Sequence, residues 1–382
     1  MVGVSGRAYL RVPRWVHRRA AVPLALATLL LGGCQSLGAV GEAVGYYGQA
    51  VGGHLQLMRA ARPVDDWLAD PATPPALAGR LREAQQMRRW AVQALALPDN
   101  ASYTRYAQLD RPAVVWNVVA TPELSLALHT WCHPLMGCVG YQGWFDEARA
   151  RAEAARLQAR GLEVMVYGVP AYSTLGWTNW LGGDPLLDTF VRGAEDETAR
   201  LIFHELAHQR VYVADDTRFN ESYATAVERL GLARWQADQG RPVVDGTRAA
   251  RLRADFLRLT RQAREELQAL YARQDLSAAE RRQQKAEVFA RLRAAHAALK
   301  AGPWQGDARY DAWFARANNA ALALQTAYDG WVPAFERLHA EEGADFARFH
   351  AAVERLAALP PDERRARLQA LMAPVQPFTT RP

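Results

Sequence analysis

The stretch Ala199-Arg200-Leu201-Ile202-Phe203-His204-Glu205-Leu206-Ala207-His208-Gln209 organises the reading of this chain. It holds no Gly or Pro, and Asp196-Glu197-Thr198 before it suits a helix first turn, where acidic side chains meet the positive end of the helix dipole. On a helix, His204 and His208 lie one turn apart on the same face. Their imidazoles can then converge on one ion about 2.0–2.1 Å from each nitrogen. Glu205 sits about 100° round the helix, where it can face a water molecule without ligating the ion. Two histidines and a glutamate on an otherwise apolar helix are costly to bury without a partner, and a metal ion provides one. The spacing is the HExxH arrangement of zinc hydrolases, and it predicts one Zn2+ ion with Glu205 as the catalytic base.

A catalytic zinc site takes three protein ligands and keeps an open position. The third is expected just downstream, in Phe219-Asn220-Glu221-Ser222-Tyr223-Ala224-Thr225-Ala226-Val227-Glu228, which starts a second helix running to about Gln239. Asp215-Asp216-Thr217 forms a turn between the two helices. A return helix brings Glu221, in its first turn, back against the histidines, and Glu221 is the expected ligand. Glu228 lies two turns further along the same face. It either supports the histidines from behind, faces substrate, or replaces Glu221 as the ligand. Tyr172, Tyr212 and Tyr223 are candidate donors to a tetrahedral oxyanion.

Before the zinc helix, residues 113–120 (AVVWNVVA), 124–131 (LSLALHTW) and 162–169 (LEVMVYGV) read as strands, with a helix over residues 146–160 ending at Gly161. An extended substrate commonly lies along an edge strand in zinc peptidases. Residues 162–169 lead into Tyr172, Ser173, Thr174, Gly176 and Trp177, which become candidates for the cleft wall. From Asp184 onward the pattern is helical. Residues 247–273 and 277–300 form a charged αα-hairpin, with Ser277 and Glu280 as a capping box. Further helices are expected over 311–327, 331–340 and after Pro360-Pro361. Asn318 and Asn319 either line the pocket or cap a kink. The expected fold is α+β and predominantly α-helical: a small mixed β-sheet packed with the HExxH helix, plus the hairpin and C-terminal helices. The segmentation reads 1–33 signal peptide, 34–100 tether and N-terminal helices (one near residues 46–62), 101–245 zinc core, and 246–382 hairpin and C-terminal region.

The 382 residues are 50% hydrophobic and 23% charged, which excludes a disordered chain. The formal charge of +6 is concentrated at the start: Arg7, Arg11, Arg14, Arg18 and Arg19 precede any acid, and removing residues 1–33 leaves +1. No nucleic-acid partner is expected from that distribution. The basic segment, a twelve-residue apolar run over 20–31 and Leu31-Gly32-Gly33-Cys34 read as an export signal. The ending resembles a bacterial lipobox, which implies lipidation of Cys34 and a membrane attachment. Gln35 after it implies the outer membrane of a Gram-negative cell, facing the periplasm. Cys132 and Cys138 then read as a disulfide in an oxidising compartment, with a metal site of Cys132, His133 and Cys138 as the alternative.

The run Asn220-Glu221-Ser222-Tyr223-Ala224 resembles the segment carrying the third zinc ligand in the aminopeptidase N family, and with His204 and His208 it places the chain among the gluzincins. The chain is more similar to a family of bacterial lipoproteins termed predicted aminopeptidases. The likeness lies in the lipobox, residues 132–141, Val169-Pro170-Ala171-Tyr172-Ser173-Thr174-Leu175-Gly176-Trp177, residues 203–209 and 220–228, Asn318-Asn319-Ala320 and Trp331-Val332-Pro333-Ala334-Phe335. This resemblance implies a peptide substrate and trimming from the amino end. Two features depart from it. The gap from His208 to Glu221 is short, leaving Glu228 at a thermolysin-like spacing, and the Gly-x-Met-Glu-Asn run that grips a free amine is missing. Two other functions fit the same residues: a lipid-anchored scaffold with non-catalytic zinc, or a zinc amidase acting on cell-wall material.

Overall fold

In a computed structural model, residues 34–133, 137–171, 174, 182–241 and 248–372 are described. The signal segment 1–33 lies outside them. Contacts divide the chain into Met1–Gly48 and Gln49–Pro382, and the packing below belongs to the second unit. Helix α1 (Cys34–Ala60) is longer than the expected helix near residues 46–62 and takes in the Gly- and Ala-rich stretch read as a tether. It gives way to β1 (Arg62–Pro63), α2 (Val64–Ala69) and α3 (Pro75–Ala94). Pro75 opens α3 at a position where the missing N–H has no partner to lose. Strands β2 (Arg105–Ala107), β3 (Val115–Pro122), β4 (Trp131–His133), β5 (Gly137–Val139) and β6 (Gln142–Trp144) follow. Helix α4 (Glu147–Ala159) starts where Asp146 accepts the Arg149 N–H, and Gly161, at φ +79°, turns the chain into β7 (Leu162–Val169).

The main sheet has the order β6-β3-β7, with both pairings antiparallel. Its alternating side chains serve two layers. Trp116, Val118 and Ala120 pack with Ala150, Ala154 and Leu157 of α4. Val119 points the other way, with Met165 and Tyr167, onto Ala320 and Leu324. A second small sheet joins β1, β2 and β8 (Leu186–Leu187), the last parallel to β2. Strands β4 and β5 form a hairpin in which Cys132 and Cys138 are register partners joined by a disulfide.

The helical part comprises α5 (Asp188–Val191), α6 (Glu195–Arg210), α7 (Thr217–Asp238), α8 (Arg248–Ala272), α9 (Ala278–Ala301), α10 (Asp311–Arg316), α11 (Asn319–Asp329), α12 (Val332–Glu341), α13 (Phe346–Ala357) and α14 (Pro361–Met372). The principal core gathers Leu81, Met87, Ile202, Phe203, Phe219, Tyr223, Phe335 and Phe349. The α8–α9 hairpin has a separate core around Leu267, Phe289, Trp304 and Phe314. Its capping box is formed by Ser277 and Glu280. Lys285 fixes it to the main sheet by pairing with Glu163 and donating to the Glu123 carbonyl. The whole is a mostly helical α+β protein with small mixed sheets, as expected.

Two sequence readings need correction. Residues 124–130 are irregular, and only Trp131 of the expected strand enters a ladder. The carbonyls of Glu123 and Ser125 are taken by the Asn319 side chain at 2.8 and 3.1 Å, so side chains replace a neighbouring strand. The helix expected over 311–327 breaks into α10 and α11, because the Asn318 carboxamide accepts the Ala321 N–H at 3.0 Å and starts a new helix. Asn318 thus caps a break, and its amide also donates to the Val164 carbonyl of β7 at 3.0 Å.

Candidate metal centre

Helix α6 begins with Glu195, Asp196 and Glu197, and it buries Ala199, Ile202, Phe203, Leu206 and Ala207 in the core. That burial face fixes the rotation of the helix and turns His204 and His208 together, with ring centroids 4.8 Å apart. Helix α7 starts at Asp216, whose carboxylate accepts the Phe219 N–H at 3.0 Å. Four consecutive residues of α7, each about 100° from the last, then bind four different partners. The Asn220 side chain accepts the Val213 N–H and donates to the Val213 carbonyl, 2.8 and 2.7 Å, tying the inter-helix connection to α7. Glu221 faces the histidines. The Ser222 hydroxyl accepts the Trp331 N–H at 3.0 Å, and the Tyr223 hydroxyl meets His350 Nδ1 at 2.8 Å.

Nε2 of His204, Nε2 of His208 and Oε2 of Glu221 form a triangle with edges of 3.2, 3.4 and 3.6 Å. A tetrahedral ion about 2.1 Å from each donor spaces its ligands about 3.4 Å apart. The three atoms therefore fit one metal ion, and His204, His208 and Glu221 are the one such group among the described residues. Glu228 stands on the other side of His204, with Oε2 3.3 Å from Nδ1 and Oε1 3.1 Å from Nη1 of Arg200. It contacts the ring nitrogen that faces away from the triangle. That geometry makes it a support for the imidazole, an arrangement that fixes tautomer and orientation in metal sites.

The electrostatics agree with the donor chemistry. Burial pulls the His204 pKa down, but contacts with Glu221 and Glu228, reinforced by Glu205, hold it well above its ordinary value. Burial pushes Glu221 up, yet the two histidines lower it to about 2. Three carboxylates thus converge on two imidazoles, and in the protein alone a proton on His204 supplies positive charge that a cation would otherwise bring.

Glu205 occupies the same neighbourhood. After burial, its charge and that of Asp184 push the Tyr103 hydroxyl well above the usual range. Burial followed by Glu221, Tyr167, Tyr212 and Glu205 does the same to Tyr141. Tyr212 is raised by burial and then by Glu221. Tyr212 therefore lies near the centre, whereas Tyr223 is bound to His350 in the core and serves packing. Tyr103 was missed by sequence reasoning, and Tyr141 entered it only within the family likeness and not as a site residue, since neither lies near the motif in the chain. Arg200 was also missed, although its position four residues before His204 placed it on the histidine face.

Thr174 directs its N–H and its hydroxyl at Asp184, 3.1 and 2.8 Å away. Asp184 also accepts the Gln209 amide at 3.3 Å, and Gln209 donates to the Ser102 hydroxyl at 3.1 Å. The last residue of the quoted helix stretch thereby anchors the segment that follows β7. Tyr172, Ser173, Gly176 and Trp177 lie outside the described residues. The disulfide hairpin docks on the start of α7: the Cys138 N–H donates to Asp215 at 2.5 Å, and Gly137, at φ +73°, leaves no room for a Cβ beside Asp215. No side-chain metal cluster forms from Cys132, His133 and Cys138, because the two sulfurs are bonded to each other.

Fold and site together define a mostly helical protein carrying a two-histidine, one-carboxylate centre beside a small sheet. A family model described as "Putative aminopeptidase" matches residues 45–368, and the chain belongs to that family. No curated protein and no solved structure matches it.

Proposed function

We propose that the chain is a zinc-dependent metallopeptidase of the gluzincin type, acting as an aminopeptidase on peptide substrates. The observation that carries this reading is the near-equilateral triangle of His204 Nε2, His208 Nε2 and Glu221 Oε2. His204, His208 and Glu221 would hold one zinc ion, which would supply Lewis acidity, lowering the pKa of water to near neutrality and polarising a carbonyl. Glu205, one residue past His204, takes the proton of the attacking water on its carboxylate and returns it to the leaving amine. The hydroxyls of Tyr141 and Tyr212, both in the electrostatic reach of Glu221, are candidate donors to a developing oxyanion. Glu228 holds His204 by Nδ1 and is in turn held by Arg200. Trimming from the amino end is supported by the family alone.

Assaying the purified chain and Glu205→Gln against an unbiased peptide library, with bound metal measured in both, tests the proposal. Zinc retained in both proteins with cleavage only in the parent is expected. Equal cleavage by the variant refutes the base, and stoichiometric zinc without any cleavage refutes the peptidase.

We further propose export and lipid anchoring at Cys34, with the protein facing the periplasm from the outer membrane. The Cys132–Cys138 disulfide supports an oxidising compartment. Among the described residues no helix is long and apolar enough to cross a membrane. Intact mass of the protein from membranes tests this: an unmodified Cys34 refutes it.

A further inference from the structure

Beside the start of α7 lies a cavity of about 530 Å³, walled in part by Asp215, Asp216, Arg218, Trp331, Arg364 and Arg365. Its carboxylates are already committed. Asp216 caps α7 and accepts Nε and Nη2 of Arg364 at 3.0 and 2.9 Å. Asp215 accepts the Cys138 N–H. Of the cavity's guanidinium groups, Arg364 is committed to Asp216 and to the Ala357 and Leu359 carbonyls, whereas Arg218 and Arg365 have no ion pair with a lining carboxylate among the described residues. Arg218 places its Cζ over the Trp331 ring, 3.9 Å from the centroid, and donates Nη2 to the Gly330 carbonyl at 3.2 Å, and it has no carboxylate within ion-pair distance among the described residues. Its Nε is buried without a hydrogen-bond partner, and so is Nε of Arg264. Among the described residues Arg365 pairs with Asp362 alone, at 3.9 Å, and both side chains are exposed. Burial, followed by the like charges of Arg264 and Arg365, lowers the Arg218 pKa against the pull of Asp216.

Cations gathered around one cavity without a matching number of free carboxylates recruit a counter-charge from solution. A carboxylate neutralises one guanidinium, whereas a dianionic phosphate matches two and offers three acceptor oxygens to planar donor forks. We propose that this cavity binds a doubly charged oxyanion of the phosphate or phosphate-monoester class, held by Arg218 and Arg365. The site is separate from the metal reading and stands without it.

Calorimetric titration of the full chain in detergent, at constant ionic strength and with and without chelator, tests the site. Inorganic phosphate is the probe, with acetate and chloride as controls. One phosphate per chain is expected, at least tenfold tighter than acetate and unchanged by chelator. Arg365→Gln, at an exposed position, and Arg218→Gln should each weaken binding at least fivefold, while Arg367→Gln leaves it unchanged. A tighter response to glycerol 3-phosphate than to phosphate assigns the monoester, and the reverse assigns the free ion. Phosphate bound no better than acetate, or equally well by Arg365→Gln and Arg218→Gln, overturns the proposal.

Discussion

Glu221 and Glu228 lie seven residues apart on one face of α7, and the structure gives them opposite sides of the same imidazole. Glu228→Gln keeps the shape of the side chain and removes the charge 3.3 Å from Nδ1 of His204. Loss of such a supporting contact typically lowers metal affinity about 10–100-fold, which is about 1.4–2.7 kcal/mol. Stoichiometry should stay at one zinc per chain, because all three donor atoms remain. Glu221→Gln removes a donor itself, so its loss should exceed about 100-fold. Competition against a fluorescent zinc chelator at pH 7.5 measures both. Arg200→Met, which acts only through Glu228, should cost less than Glu228→Gln. If Glu228→Gln abolishes stoichiometric binding while Glu221→Gln keeps it, the ligand assignment is reversed and the triangle is not the centre. If neither variant changes affinity, there is no metal at this place.

Metal uptake should release about one proton per ion near neutral pH, because the raised pKa of His204 keeps a proton where a metal must bind. In the metal-free protein the imidazolium–carboxylate contacts contribute fully below about pH 6.5 and are lost as pH rises through the folded pKa, so zinc affinity should climb over that range. Calorimetry in buffers of different ionisation enthalpy reads the proton count, and a count of zero refutes the assignment. His350 behaves oppositely: burial lowers its pKa to about 4, with Nε2 donating to the Leu95 carbonyl and Nδ1 accepting from Tyr223. The stability this neutral ring contributes is present above about pH 6.5 and lost as pH falls towards 4, about 3 kcal/mol in all. Denaturant titrations at pH 7.5 and 4 should show that loss shrink in His350→Leu, while Tyr223→Phe should cost about 1 kcal/mol of stability and leave turnover intact. Gly137→Ala should destabilise the protein by about 1–2 kcal/mol, because its Cβ would meet Asp215 and its φ is +73°. An unchanged melting temperature would refute the docking of the hairpin on α7.

Much of the centre was legible in the sequence because its first half is local. The spacing of His204 and His208 becomes a shared face as soon as the segment is helical. The Ser277–Glu280 capping box and the Cys132–Cys138 pairing are equally short-range. The strand expected over 124–131 failed for a reason outside its own residues. Its apolar pattern suits a strand, but the Ser125 carbonyl near its start is taken by Asn319, nearly two hundred residues on, and the Glu123 carbonyl just before it by Asn319 and Lys285. Tyr141 and Tyr103, in the β5–β6 connection and the stretch before β2, lie within electrostatic reach of Glu205, and no spacing near the motif points to them.

Helical periodicity alone was enough to make the two histidines neighbours and to put Glu205 beside them, since a turn of helix needs no partner to define it. It could not rank Glu221 against Glu228, because residues seven apart share a face and only the placement of α7 against α6 selects which carboxylate meets Nε2. That placement comes from contacts distant in the chain: Asn220 on Val213, Ser222 on Trp331, Tyr223 on His350 and Asp215 on the disulfide hairpin. Donor atoms matched to an ion within a few tenths of an ångström require two helices held in register, and packing between elements sets that register.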